Sequence, residues 1–192
     1  MTTLADKVLM VNAALVAAEI PHAFGGALAL AFHIEEPRAT RDIDINIFLP
    51  PESADSVFRA LPSEVQWSEA DVVQIADKGQ VRLFWAETPL DLFFSTHAFH
   101  DGAASETSDV PFDGGTIPIL GATDLAVFKA FFNRTKDWAD LEAMVDAGSL
   151  DLHQVIGWVV DLMGGDDERV ARLRLLLDRQ PPRAEPRFDA PP

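Results

Sequence analysis

The chain has 192 residues, 48% of them hydrophobic, with 31 acidic residues against 15 Lys and Arg and a formal net charge of −16. That length suits one domain, or one domain with a helical extension, with apolar content enough for a sizeable core. No apolar run reaches the ~20 residues of a membrane span, the N-terminus lacks a signal-peptide pattern, and with no cysteine there are no disulfides or thiolate metal sites. The expectation is a cytoplasmic protein with no membrane partner. The charge repels nucleic acid at long range. The scattered acids read first as a solvated surface, and otherwise as a face for a basic partner.

Leu4, Val8, Val11, Leu15 and Ala18 recur at helical spacing behind Thr3 as N-cap, and Pro21 ends that helix. A short strand at 22–24 precedes Gly25-Gly26. A buried helix is expected over 27–34, ended by Glu35-Glu36-Pro37. The central strand follows over 41–49, and Pro50-Pro51 opens a helix carrying Val57, Phe58 and Leu61. Strands are expected at 72–75, 81–86 and 90–94, with hairpin turns at Asp77-Lys78-Gly79 and Glu87-Thr88-Pro89. Residues 97–107 fit neither period, and 117–120 reads as a short strand. From Asp124 three or four helices run to near Leu177. The proline-rich stretch 180–192 is expected to lack fixed structure. The implied organisation is a core over 1–120, a helical region over 121–179 and a tail over 180–192.

The central strand carries the chemistry. Asp42 and Asp44 alternate with Ile43, Ile45 and Ile47, so both carboxylates project from one face while the isoleucines point to a core. Adjacent carboxylates resist joint ionisation, and a divalent cation removes that cost. Mg²⁺ suits such a site, because it takes one or two carboxylates together with waters and substrate phosphates. Gly25-Gly26 opening a helix offers N–H groups to the same phosphates, and Thr40 shares the strand parity of the two acids. The competing reading is two solvent-facing carboxylates and an unliganded turn. An EF-hand fails, because Ile47 stands where that loop needs glycine. Asp91 is the one acid in the apolar run Pro89-Leu90-Asp91-Leu92-Phe93-Phe94, where an unpaired carboxylate is costly. It reads as a third ligand or as a cap after Pro89. The five histidines show no metal-ligand spacing.

Phe24-Gly25-Gly26-Ala27-Leu28, followed by Arg38-Ala39-Thr40-Arg41-Asp42-Ile43-Asp44, resembles the nucleotidyltransferase superfamily that includes DNA polymerase β. Within it the string resembles the AbiEii-type and MenT-type toxins of bacterial toxin–antitoxin pairs. A second segment, Asp124 to Lys129 and then Arg134 to Leu141, resembles the helical Lys…Lys-Asp-x-x-Asp-Leu part of that group. The resemblance implies an α+β fold: a small mixed sheet flanked by helices, with a C-terminal helical bundle. It implies attack of a hydroxyl on the α-phosphate of a nucleoside triphosphate, with Mg²⁺ or Mn²⁺ held by Asp42, Asp44 and Asp91. Asp91 would be the base and Lys129 the cation against the phosphates. Gly25, Gly26, Thr40, Arg41 and Asp137 would complete the nucleotide site. Lys129 otherwise reads as a lysine snorkelling from a core helix, and Asp137 and Asp140 as first-turn acids on a helix that Thr135 would cap. The toxin branch implies a tRNA 3′ end as acceptor, met by a local basic patch from Arg38, Arg41, Arg134 and Lys136, and a cognate antitoxin as partner. The alternatives are transfer to a small molecule, as in aminoglycoside-type enzymes, transfer to a protein, or an inactive binding module of the same fold.

Overall fold

The computed structural model describes residues 2–179; the expected tail at 180–192 lies outside the described residues. The fold is mixed α+β, and the chain divides into two compact units between Leu125 and Ala126.

The first unit opens with α1 (Leu4–Ala17) on a reciprocal capping box. The Asp6 N–H donates to the Thr3 hydroxyl at 3.1 Å, and the Thr3 N–H donates to the Asp6 carboxylate at 2.8 Å. Seven strands follow: β1 (His22–Phe24), β2 (Ile43–Ile47), β3 (Val65–Gln66), β4 (Gln80–Trp85), β5 (Thr88–Phe94), β6 (Ser108–Phe112) and β7 (Gly115–Ile119). They form one mixed sheet in the order β3-β4-β5-β2-β1-β7-β6. β2 and β5 run parallel at its centre, while β1–β2, β4–β5 and β6–β7 pair antiparallel. Alternation sets the faces. Ile43, Ile45 and Ile47 of β2, Leu90, Leu92 and Phe94 of β5, and Val81, Leu83 and Trp85 of β4 are all buried. Each such side chain contributes about 1.5–3 kcal/mol by leaving water.

Four further helices belong wholly to this unit: α2 (Gly26–Leu30), α3 (Ala54–Ala60), α4 (Glu69–Lys78) and α5 (Phe99–Ser105). Several expectations need correction. α2 is shorter than 27–34, because the backbone tightens into three-residue turns, Phe32 N–H to Ala29 and His33 N–H to Leu30, and the His33 ring then donates to the Leu120 carbonyl at 2.9 Å. The central strand is likewise shorter than 41–49. Residues 72–75 are helical, not extended. Ser68 and Asp71 form a capping box, and Gly79, at φ 66°, closes the helix in the left-handed conformation. The β4–β5 turn is Ala86-Glu87, so Thr88 and Pro89 already lie in β5. The β6 strand, absent from the sequence reading, pairs with β7 across Asp113-Gly114.

In the second unit α6 (Ala122–Phe132), which crosses the division, is followed by α7 (Thr135–Asp146), α8 (Leu152–Met163) and α9 (Glu168–Arg179). The Asp151 carboxylate caps α8, accepting from the N–H groups of His153 and Gln154. The N-cap of α7 is Arg134, with Thr135 as its first helical residue. No helix among the described residues is long and apolar enough to cross a membrane.

Candidate active site

The parallel register of β2 and β5 sets Asp44 directly beside Asp91. On the other side of β5, the antiparallel register sets Arg82 of β4 opposite Asp91. Three strands thus present one lateral row, Asp44–Asp91–Arg82, on the face opposite the buried Ile43, Leu90 and Leu83. The Arg82 guanidinium binds both oxygens of Asp91, with Nε to Oδ1 at 2.7 Å and Nη2 to Oδ2 at 2.6 Å. These bonds push Arg82 further above its ordinary pKa; partial burial opposes them, and the charges of Asp91, Asp42 and Asp44 add to the rise. Arg82 therefore feels all three aspartates.

Gly25 and Gly26 sit against this row. The Gly25 N–H donates to the Asp44 carbonyl at 2.9 Å, extending the β1–β2 ladder. Gly26 has φ +52°, and a Cβ there would overlap the Asp44 carboxylate and come within 2.9 Å of its Cβ. Only glycine permits both the left-handed backbone and this approach. One step along β2, the Asn46 Oδ1 is buried with no hydrogen-bond partner, and a Cβ on Gly25 would meet the Asn46 Nδ2 at 2.7 Å. The carboxamide is thus packed under the glycine turn.

Asp42 immediately precedes β2. The Thr40 hydroxyl donates to its carboxylate and, at 3.2 Å, to its carbonyl, so Thr40 orients Asp42. Arg38 and Arg41 lie exposed in the segment before β2. The remaining expected residues belong to the second unit. Lys129 is buried on α6 and donates to the Asp140 carboxylate of α7 at 2.6 Å. Asp137 is buried at the start of α7 and is gripped by Arg134, with Nε at 2.6 Å, Nη2 at 3.0 Å and the Arg134 N–H at 3.2 Å. Arg134 also lies over the Phe132 ring, 5.0 Å from its centroid. Lys136 is exposed.

Among the described residues, no three His, Cys, Asp or Glu side chains form a ready metal-ligating group. The donor chemistry fits a smaller site. Asp42 and Asp44 are hard oxygen donors of like parity, and the glycine backbone closes against Asp44 without a side chain between. Mg²⁺ needs no more than one or two carboxylates when phosphates and water supply the rest. Arg82 and Asn46 were missed as site residues. Alternation in Val81-Arg82-Leu83 already pointed Arg82 away from the core, but a turn placed at 87–89 would set Trp85 opposite Asp91 instead.

No family model matches the sequence, and neither does any curated protein. Among solved structures, the chain is similar to an antigenic nucleotidyltransferase-like protein from Paracoccidioides brasiliensis, with a TM-score of 0.52, 14% identity, and 92% of this chain and 88% of that one covered. The chain has a nucleotidyltransferase-like fold. It is similar also to the antibiotic-resistance factor ANT(2'')-Ia, with a TM-score of 0.52, 14% identity and coverage of 93% and 92%. At this identity the likeness reaches the fold, and it does not extend to the toxin branch.

Proposed function

We propose that the chain is a metal-dependent nucleotidyltransferase that transfers a nucleoside monophosphate from a nucleoside triphosphate to a hydroxyl and releases pyrophosphate. The observation that carries the reading is the Asp44–Asp91 pair in lateral register, with Gly26 closed against Asp44. Asp42 and Asp44 would hold Mg²⁺ or Mn²⁺, which when bound supplies charge neutralisation at the triphosphate. Gly26 brings its backbone against Asp44 with no side chain of its own. Thr40 fixes the Asp42 carboxylate. Asp91 accepts the proton of the attacking hydroxyl, the role of a general base.

The acceptor that follows from the toxin resemblance is a tRNA 3′ end, with Arg38, Arg41, Arg134 and Lys136 as phosphate contacts and an antitoxin protein as partner. The net charge of −16 and the engagement of Arg134 by Asp137 favour a second reading, a small hydroxyl-bearing acceptor. The fold shared with an antibiotic-resistance factor is compatible with that reading.

Isothermal titration with Mg²⁺ and each nucleoside triphosphate tests the reaction class. The Asp42→Asn/Asp44→Asn variant should lose binding, and undiminished affinity removes the metal assignment. Labelled triphosphates offered with total tRNA or with a panel of aminoglycosides then separate the acceptors. Labelled RNA supports the tRNA reading, and a labelled small molecule replaces it.

A further inference from the structure

The geometry points to Arg82 as a counter-ion built into the site: its guanidinium holds the Asp91 carboxylate until a divalent cation and a nucleotide displace it, and it then turns to the nucleotide's phosphates. This rests on the nucleotidyltransferase reading and assigns a role to a residue that reading does not use.

Three observations support it. First, Arg82 takes both oxygens of Asp91, so the guanidinium fills one lone pair on each oxygen and its positive charge opposes both proton transfer to Asp91 and the approach of a cation. Second, exposure is uneven across the pair. The Arg82 side chain is 54% exposed and that of Asp91 only 15%. The cation therefore lies on the solvent side of the acid, where an incoming phosphate meets it first. Third, the strand registers set Asp44, Asp91 and Arg82 in one lateral row, which places the guanidinium at the end of the acidic row. A planar guanidinium fork fits phosphate as well as carboxylate. An ion pair this open to water shifts an equilibrium by only a few-fold, so the exchange meets little resistance. The competing account is a cross-strand pair that stabilises the β4–β5 hairpin and nothing more.

The two accounts differ in cation affinity without nucleotide. Free Mn²⁺ is measured by electron paramagnetic resonance for the wild type, Arg82→Gln, Asp91→Asn and the double variant, with circular dichroism to verify folding. Arg82→Gln should bind Mn²⁺ about two- to fivefold more tightly, the gain expected from releasing a half-exposed pair. That gain should vanish in the Asp91→Asn background, as a double-mutant cycle requires for a coupled pair. Affinity for the nucleotide in the presence of Mn²⁺ should fall about tenfold, as for loss of one charge-assisted contact, and Arg82→Lys should restore part of it. Arg82→Lys also carries the cation test if the Gln variant fails to fold, with a smaller gain from the weaker fork. Unchanged or weaker Mn²⁺ binding in the Arg82 variants, or unchanged nucleotide affinity, overturns the proposal while the nucleotidyltransferase reading stands. Absence of both Mn²⁺ and nucleotide binding in the wild type removes that reading and the proposal together.

Discussion

Gly26→Ala is the sharpest single test of the site's construction. At φ +52° an alanine costs about 1–2 kcal/mol for the left-handed backbone alone. Its Cβ would also overlap the Asp44 carboxylate. Either Asp44 must leave its rotamer or α2 must retreat from β2, and forced repacking of this kind costs about 1–3 kcal/mol more. The sum is about 2–5 kcal/mol. Gly114→Ala supplies the control within the same unit. It has φ +80°, and a Cβ there meets nothing within 4 Å, so it should lose only the backbone part, about 1–2 kcal/mol. Urea unfolding followed by circular dichroism measures both, as a lower midpoint at unchanged m-value. Titration with Mn²⁺ and nucleotide follows on each variant. Gly114→Ala should bind as the wild type does, and Gly26→Ala should bind weakly because Asp44 has moved. If Gly26→Ala loses no more stability than Gly114→Ala and binds nucleotide normally, the close approach does not shape the site.

Lys129→Met should destabilise by about 3–5 kcal/mol in urea unfolding, because it removes the Lys129 ammonium from the buried Asp140 carboxylate; Lys129→Met/Asp140→Leu should recover a good part, and equal loss in both variants would refute the ion-pair account. Asp124 gives a pH signature. Burial first, and then the charge of Glu106, push its carboxyl up to about 6 from 3.8. A raised folded pKa means the folded state holds the proton more tightly, so the stability this group contributes is fully present at low pH and is lost as pH climbs from about 3.8 to about 6. Asp124→Asn should therefore be more stable than the wild type at pH 7.5, by up to about 3 kcal/mol, with most of the gain gone at pH 4. A gain of equal size at both pH values would show that ionisation is not its source.

The longer strands with one buried face were legible, whereas the two-residue β3, with Val65 buried, was too short to show a period. Ile43, Ile45 and Ile47 alternate with polar residues, Val81, Leu83 and Trp85 alternate with Arg82 and the exposed Phe84, and both segments are strands. Val72-Val73 misled because β-branched residues in a short window favour extended structure, whereas the Ser68 and Asp71 capping box and the Gly79 terminus select helix. The Asp42 and Asp44 pair and the glycines were legible from spacing. Arg82 was not, because its partner depends on the hairpin register, and one misplaced turn residue changes every cross-strand pair. The Lys129–Asp140 and Arg134–Asp137 pairings depend on where α7 starts, and a cap at Thr135 rather than Arg134 obscured the second.

The site's geometry is a by-product of the core's. A one-residue slip of β2 against β5 would send Asp44 toward the buried face and an isoleucine out to solvent. Ile43, Ile45 and Ile47 are wholly buried, as are Leu90 and Leu92, so such a slip would expose several aliphatic side chains at about 1.5–3 kcal/mol each and bury a carboxylate besides. The apolar face thereby holds Asp44 beside Asp91 without any contact between the two acids being favourable in itself. On the proposed reading, their repulsion is the cost that a bound cation would relieve. In this structure Arg82 supplies that charge at Asp91, and the Asp42 and Asp44 carboxylates present the oxygen donors that a divalent ion and a triphosphate would complete.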